Sequence, residues 1–223
     1  MVEPSPLHQQ VAQHYSQSTG GDLLASVLAA LEVAGTDLSG ELRYEDMGGV
    51  DHFHGGALAA TRTLAKLGEL TAGERVLDMG GGFGGPARTL AAEFGCHVTV
   101  LDPTEPFIQA GQALTERLGL QDAVQFFLGS GLDMPFGDER FDVVWNQNAS
   151  MNIPDKARLV AEQRRVLRHV DGWSFRRSSP VPAVISCVRC PGHVIQPRAS
   201  WFHPSRSAPS CVRLVSSSES GFR

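Results

Sequence analysis

Two carboxylates bracket a run of glycines in this chain, and their placement selects the ligand. The segment Val76-Leu77-Asp78-Met79-Gly80-Gly81-Gly82-Phe83-Gly84-Gly85 passes from an apolar run into a glycine turn, and Asp102 closes the next apolar run. Glycines between a strand and a helix let a ligand approach the backbone closely. Gly80, Gly82 and Gly85 also fit the dinucleotide-binding fingerprint, with Asp102 at the spacing of a ribose contact. Asp78 argues against a dinucleotide, because a carboxylate about 4 Å from a diphosphate is unfavourable by roughly 4 kcal/mol at an effective dielectric of 20. The same carboxylate favours a cation, and S-adenosylmethionine brings a sulfonium and an α-ammonium group. Asp102 accepts hydrogen bonds only, which suits both hydroxyls of a ribose. The competing readings are a dinucleotide and a tight turn with no ligand. Both carboxylates together favour S-adenosylmethionine.

Two further polar segments are expected to face the same crevice. Gly129-Ser130-Gly131-Leu132-Asp133-Met134-Pro135-Phe136 follows a strand-like run, at the sheet end where open α/β folds bind ligands. Ser130 and the backbone around Leu132 can meet the edge of an adenine, and Met134 or Phe136 its faces. Asp133 reads as solvated, and a plain loop is the alternative for the whole segment. Asn146-Gln147-Asn148-Ala149-Ser150-Met151-Asn152 leaves the following apolar run. Asn146 can bind the amino-acid end of the cofactor, while Gln147, Asn148 and Asn152 can face a substrate. Amides also serve turn geometry, so part of this set has a structural reading.

The elements that must hold these groups alternate. Strands are predicted over 75–79, 97–101, 124–128 and 141–145, with helices over 86–94, 105–118 and 154–167. That alternation implies an α/β fold with a parallel sheet and right-handed crossovers. Upstream, Val11, Tyr15 and the leucines from Leu23 to Leu31 recur at helical spacing, and Gly35 is the expected stop. Residues 39–56 read as a polar, glycine-rich loop ending in Asp51-His52-Phe53-His54-Gly55-Gly56, and a helix is expected over 57–67. The chain therefore divides into an N-terminal helical cap (1–70), a ligand-binding core (71–168) and an aberrant tail (169–223) that is expected to be disordered.

Composition sets the tail apart. Residues 1–168 carry 12 Lys+Arg and 22 Asp+Glu, a net charge of −10. Residues 169–223 carry 7 Arg and two acidic groups, a net of +5, together with 12 Ser, 6 Pro and three of the four Cys. The overall charge of −5 offers no electrostatic attraction to nucleic acid or an anionic membrane, and neither is expected as a partner. No apolar run reaches the roughly 20 residues of a membrane span. Cys96 is the sole cysteine before the tail, which suits a reducing cytoplasm, and a cytoplasmic location is expected. Cys187, Cys190, His193, His203 and Cys211 lack a clean second ligand pair, so no metal site is expected.

The blocks at 76–85, 98–102, 129–136 and 141–153 together resemble the class I S-adenosylmethionine-dependent methyltransferases with a methyltransferase type 11 domain. The likeness extends from about Val11 to Arg168. Within that group the chain is similar to the sarcosine/dimethylglycine and phosphoethanolamine-type small-molecule methyltransferases, through Met151-Asn152-Ile153 and the 51–56 loop. The resemblance implies a Rossmann-like sheet under an N-terminal cap and methyl transfer from S-adenosylmethionine to a small-molecule nitrogen or oxygen. It implies that Asp78, Gly80 and Gly82 hold the methionine part, Asp102 the ribose, Ser130 and Leu132 the adenine, with Asn146 at the strand-four position. Many relatives have Asp where Ser130 stands. Because the cap helices of such enzymes often close over the cofactor, Tyr15, His52 and His54 become candidates on the substrate side. A hydroxyl acceptor needs a base, for which His52 or His54 comes first; a neutral amine needs none.

The family pattern stops near Arg168. A Pro-Gly-Gly turn, a fifth strand and a closing hairpin are due there; His169-Val170-Asp171-Gly172-Trp173 follows instead. One choice of GC-rich codons for 168–202, read in a shifted frame, gives R-R-L-E-L-Q-E-V-V-A-G-P-G-G-D, which restores a strand and a turn. The expectation is a frameshifted C-terminus, with strands one to four recognisable and strands five to seven missing or aberrant. The fourth strand is then expected to present an exposed hydrophobic edge, leaving the chain poorly stable with weak or no activity. The alternative function is a non-catalytic remnant that at most binds the cofactor.

Overall fold

The computed structural model describes residues 23–40, 42–47, 50–52 and 57–168, and the backbone of 185–189. Along β1 (Arg75–Met79) successive side chains enter opposite layers: Val76 joins one apolar cluster, Leu77 and Met79 the other. β2 (His97–Asp102), β3 (Val124–Leu128) and β4 (Val143–Gln147) complete a parallel sheet in the order β3-β2-β1-β4. Both faces are covered. On one, α2 (Ala57–Leu67), α3 (Gly85–Phe94) and α4 (Glu105–Arg117) bury Leu64, Leu90 and Ile108 against Val76, Val98 and Trp145. On the other, α5 (Lys156–Val166) sets Leu159 and Val166 against Leu77, Leu101 and Val144. This is the expected α/β architecture.

The N-terminal helices are held by the glycine turn as well as by the sheet. In α1 (Leu23–Val33), Leu23, Val27 and Leu31 recur every four residues and pack on Ala110 and Leu114 of α4 and on Phe83 of the glycine turn. Within the stretch read as a polar loop, residues 42–47 are more embedded than that. Tyr44–Met47 forms a 3-10 turn, and Leu42 and Met47 are buried in the same cluster. Two apolar side chains in a polar stretch have no periodicity to announce them.

Two boundaries move. β4 runs Val143–Gln147 rather than 141–145, because its register with β1 pairs Val143 with Val76 and Trp145 with Asp78. Asn146 and Gln147 are therefore strand residues, not loop residues. α5 begins at Lys156, where the Asp155 side chain accepts a hydrogen bond from the Arg158 backbone N–H (2.9 Å), an N-cap that Pro154 precedes.

The border beyond β4 also differs from expectation. The bare edge foreseen there is covered: β5 (Ile185–Arg189) lies antiparallel to β4, with Ile185 opposite Gln147 and Arg189 opposite Val143. Strand pairing uses backbone groups alone, so a segment of foreign composition can fill the place. An isolated parallel bridge also forms just ahead of β4. Leu167 bridges to Phe141, and the Arg168 N–H donates to the Phe141 carbonyl (2.8 Å). Among the described residues it goes no further. No helix among them is long and apolar enough to cross a membrane.

Candidate cofactor site

Asp78, the penultimate residue of β1, is 1 % exposed and lies on the α3 side of the sheet. Its Oδ2 has no hydrogen-bond partner among the described residues. Burial, and then the neighbouring charge of Asp102, push its carboxyl up to about 7. The chain reverses at Gly80 (φ +72°), whose N–H donates to the Leu101 carbonyl (2.7 Å); a methyl group on Gly80 would collide with the side chain of Ala149. Asp102 ends β2. One of its carboxylate oxygens accepts from the Gly82 N–H (3.0 Å) and the other from the Thr104 N–H (2.9 Å). The Thr104 side chain is a third donor to this carboxylate, which leaves it one acceptor position for a ligand hydroxyl. Burial raises the Asp102 carboxyl too, against the pull of these two N–H donors.

These residues fit the cofactor. A buried, unpartnered carboxylate oxygen is unfavourable unless a donor arrives, and an ammonium group is the donor of opposite charge. Asp78, Gly80, Gly82 and Asp102 converge on one end of the sheet, as their spacing implied. Phosphate would meet two buried carboxyl groups there.

The loop after β3 borders the same end, since the Gly129 N–H donates to the Asp102 carbonyl (3.0 Å). Ser130 Oγ accepts from the Leu132 N–H (3.1 Å), closing a tight turn in which the Asp133 N–H donates to the Ser130 carbonyl (3.2 Å). Asp133 is exposed and Met134 is buried. α5 grips the outside of the loop. Arg158 donates to the Leu132 carbonyl (2.7 Å), Glu162 accepts from the Met134 N–H (2.8 Å), and Arg165 donates to the carbonyls of Met134 (3.1 Å) and Phe136 (2.7 Å). Arg165 also clamps Glu162, holding its carboxyl below the usual range.

The amides divide. Asn146 is buried, and its Oδ1 accepts from the Ser150 N–H (3.2 Å), capping the 3-10 turn Ser150–Asn152. Gln147 Oε1 accepts from Trp145 Nε1 (3.3 Å) and from Thr61 Oγ1 on α2 (3.2 Å), tying β4 to the cap. Asn148 takes a left-handed backbone (φ +61°), and Asn152 is exposed. His52 is buried with Nε2 3.2 Å from Thr89 Oγ1 on α3. Tyr15 and His54 lie outside the described residues.

One buried group escaped the sequence reading. Arg88 and Asp51 form the single ion pair, among the described residues, whose two side chains are both fully buried. An arginine inside the apolar helix Pro86-Ala87-Arg88-Thr89-Leu90 was the available signal, but nothing local names its partner.

Residues 77–172 match the family model described as a methyltransferase domain. Among curated relatives, a glycine/sarcosine/dimethylglycine N-methyltransferase of Actinopolyspora halophila is 37% identical over 115 residues, covering 50% of this chain and 20% of its own. A sarcosine/dimethylglycine N-methyltransferase of Halorhodospira halochloris is 33% identical over 149 residues, covering 65% and 51% respectively. A demethylmenaquinone methyltransferase of Clavibacter sepedonicus is 31% identical over 166 residues, covering 74% and 60%. The chain thus spans at most three fifths of the length of these relatives. Among solved structures, that of the [4+2]-cyclase SpnF superposes with a TM-score of 0.54 at 24% identity, covering 74% of this chain and 58% of that one, a likeness of fold.

Proposed function

Because this chain belongs, through residues 77–172, to the class I S-adenosylmethionine-dependent methyltransferases, we propose that it binds S-adenosylmethionine at the 80–85 turn and methylates a small molecule at nitrogen or oxygen by direct displacement. When bound, this cofactor supplies a methyl group already activated by positively charged sulfur. The unpartnered Oδ2 of buried Asp78 carries the reading, because it asks for a cationic donor. Asp78 receives the ammonium group, and Asp102 receives a ribose hydroxyl on its remaining acceptor position. Ser130 and Leu132 border the adenine, Asn146 the amino-acid end, and Gln147, Asn148 and Asn152 the acceptor side. The chain's remaining task is to align acceptor and methyl group and to keep water out. A neutral amine needs no proton acceptor before transfer, so no side chain is assigned as a base. The N-methyltransferases among its relatives make sarcosine and dimethylglycine the first acceptors to try. We place the reaction in the cytoplasm.

Calorimetric titration with S-adenosylhomocysteine tests the binding half. Asp78→Ala is expected to weaken it by about ten- to a hundredfold, the contribution of a charge-assisted hydrogen bond. Unchanged affinity, or tighter binding of NADH than of S-adenosylhomocysteine, sinks the reading. Mass-spectrometric detection of methylated acceptor tests the other half. The composition break after Arg168 favours a second reading, a frameshifted remnant that keeps the binding turn but not turnover. Tight S-adenosylhomocysteine binding without product from any acceptor supports that one.

A further inference from the structure

Arg88 sits in the first turns of the helix that leaves the glycine turn, yet it is wholly buried. Its guanidinium takes both carboxylate oxygens of Asp51, donates to the Gly111 carbonyl (3.2 Å) and Thr115 Oγ1 (2.9 Å) on α4, and lies 5.6 Å from the ring centre of Phe83 in the turn. One side chain therefore joins the cap, the turn and two helices. Gly85 completes the contact. The Asp51 carbonyl oxygen occupies the space a methyl group on Gly85 would need. Gly85 has no left-handed backbone to explain its identity, so room for Asp51 explains it. The adjoining His52 meets Thr89, whose hydroxyl donates to the Gly85 carbonyl (3.2 Å).

A buried ion pair adds little net stability compared with apolar side chains of the same size, but it punishes any arrangement that separates its partners. It acts as a registration device. We propose that Asp51 and Arg88, with Gly85 as the seat, are positioning residues for the cofactor turn: the ion pair locks residues 50–52 onto the start of α3 and fixes Phe83 and the turn in the shape that receives S-adenosylmethionine. This rests on the cofactor reading above. Neither residue touches the ligand; both act through the turn.

The test is a cycle of variants in the full chain, read by S-adenosylhomocysteine affinity and by melting temperature. Gly85→Ala gains helix propensity but sets a methyl group against the Asp51 backbone carbonyl, so the melting temperature should fall. Affinity titrated well below that temperature, where the chain is folded, should fall at least about fivefold, the low end of coupling between sites. Asp51→Asn should weaken binding similarly. The double variant should bind no worse than either single one, since both release the same contact. Additive losses, or wild-type affinity in Gly85→Ala, overturn the proposal. If Asp51→Asn fails to fold, the paired replacement Asp51→Leu with Arg88→Met fills the space without charge. That protein should fold and bind weakly, and wild-type affinity in it is equally fatal. Loss of binding in Asp78→Ala together with full binding in these variants overturns the positioning role alone. A wild-type chain that does not bind S-adenosylhomocysteine overturns the cofactor reading and this proposal with it.

Discussion

A carboxyl group shut away from water holds its proton, and Asp78 is such a group. Its folded value stands at about 7 against an ordinary 3.8. Between those limits the folded ligand-free chain binds a proton that the unfolded chain has released, so its stability falls as pH rises through that window. Ligand affinity runs the other way. The ammonium group needs the ionised carboxylate, so S-adenosylhomocysteine should bind about tenfold more tightly per pH unit up to about 7 and then level off. Titrations from about pH 5.5 to about pH 8 will show the slope, and Asp78→Asn should flatten it. Asp102, raised in the same direction, is the other acid facing this place. A flat profile in the wild type removes Asp78 from contact with the ligand. Asp78, Gly80, Gly82 and Asp102 were legible in the sequence because strand, turn and carboxylate are neighbours along the chain. Asp51 and Arg88 stand 37 residues apart, and their meeting depends on tertiary packing.

At the scale of elements, the helices and strands were readable from period and punctuation, while their ends were set by partners. β4 shifted because its register with β1, not its own apolar run, fixes where pairing holds. α5 carries a further role that its pattern did not announce: three charged side chains hold four backbone groups of the loop after β3. If that grip shapes the adenine wall, Glu162→Gln combined with Arg165→Met should reduce the preference for S-adenosylhomocysteine over its 6-deaminated (inosine) analogue. We expect the ratio of affinities to drop by about tenfold, the value of one charge-assisted hydrogen bond's worth of loop order. Equal weakening of both ligands would mean that α5 supplies stability and no selectivity.

For the whole molecule, the tail decides how the sheet ends. The change of composition after Arg168 was plain from counting; the antiparallel strand inside the tail was not, since pairing through the backbone leaves no residue pattern. β5 covers the outer border of β4, so ending the chain at Arg168 should expose that border and speed aggregation, as static light scattering would record. A truncated chain as soluble and monomeric as the full one would show that β5 protects nothing. If the reading frame is shifted after Arg168, restoring it should raise the melting temperature and, with it, methyl transfer. No gain in either would count against the frameshift.

The bridge between Leu167 and Phe141 bears on that repair. Its hydrogen bonds already dictate direction and alignment for whatever follows, so a grafted segment inherits its register from residues upstream of the graft. Restoring the frame rewrites Ile185–Arg189, so the new segment meets the row of donors and acceptors on β4 that this strand now occupies. Repair thus exchanges an antiparallel border for a parallel one, and the first rung of the parallel ladder is in place before the break.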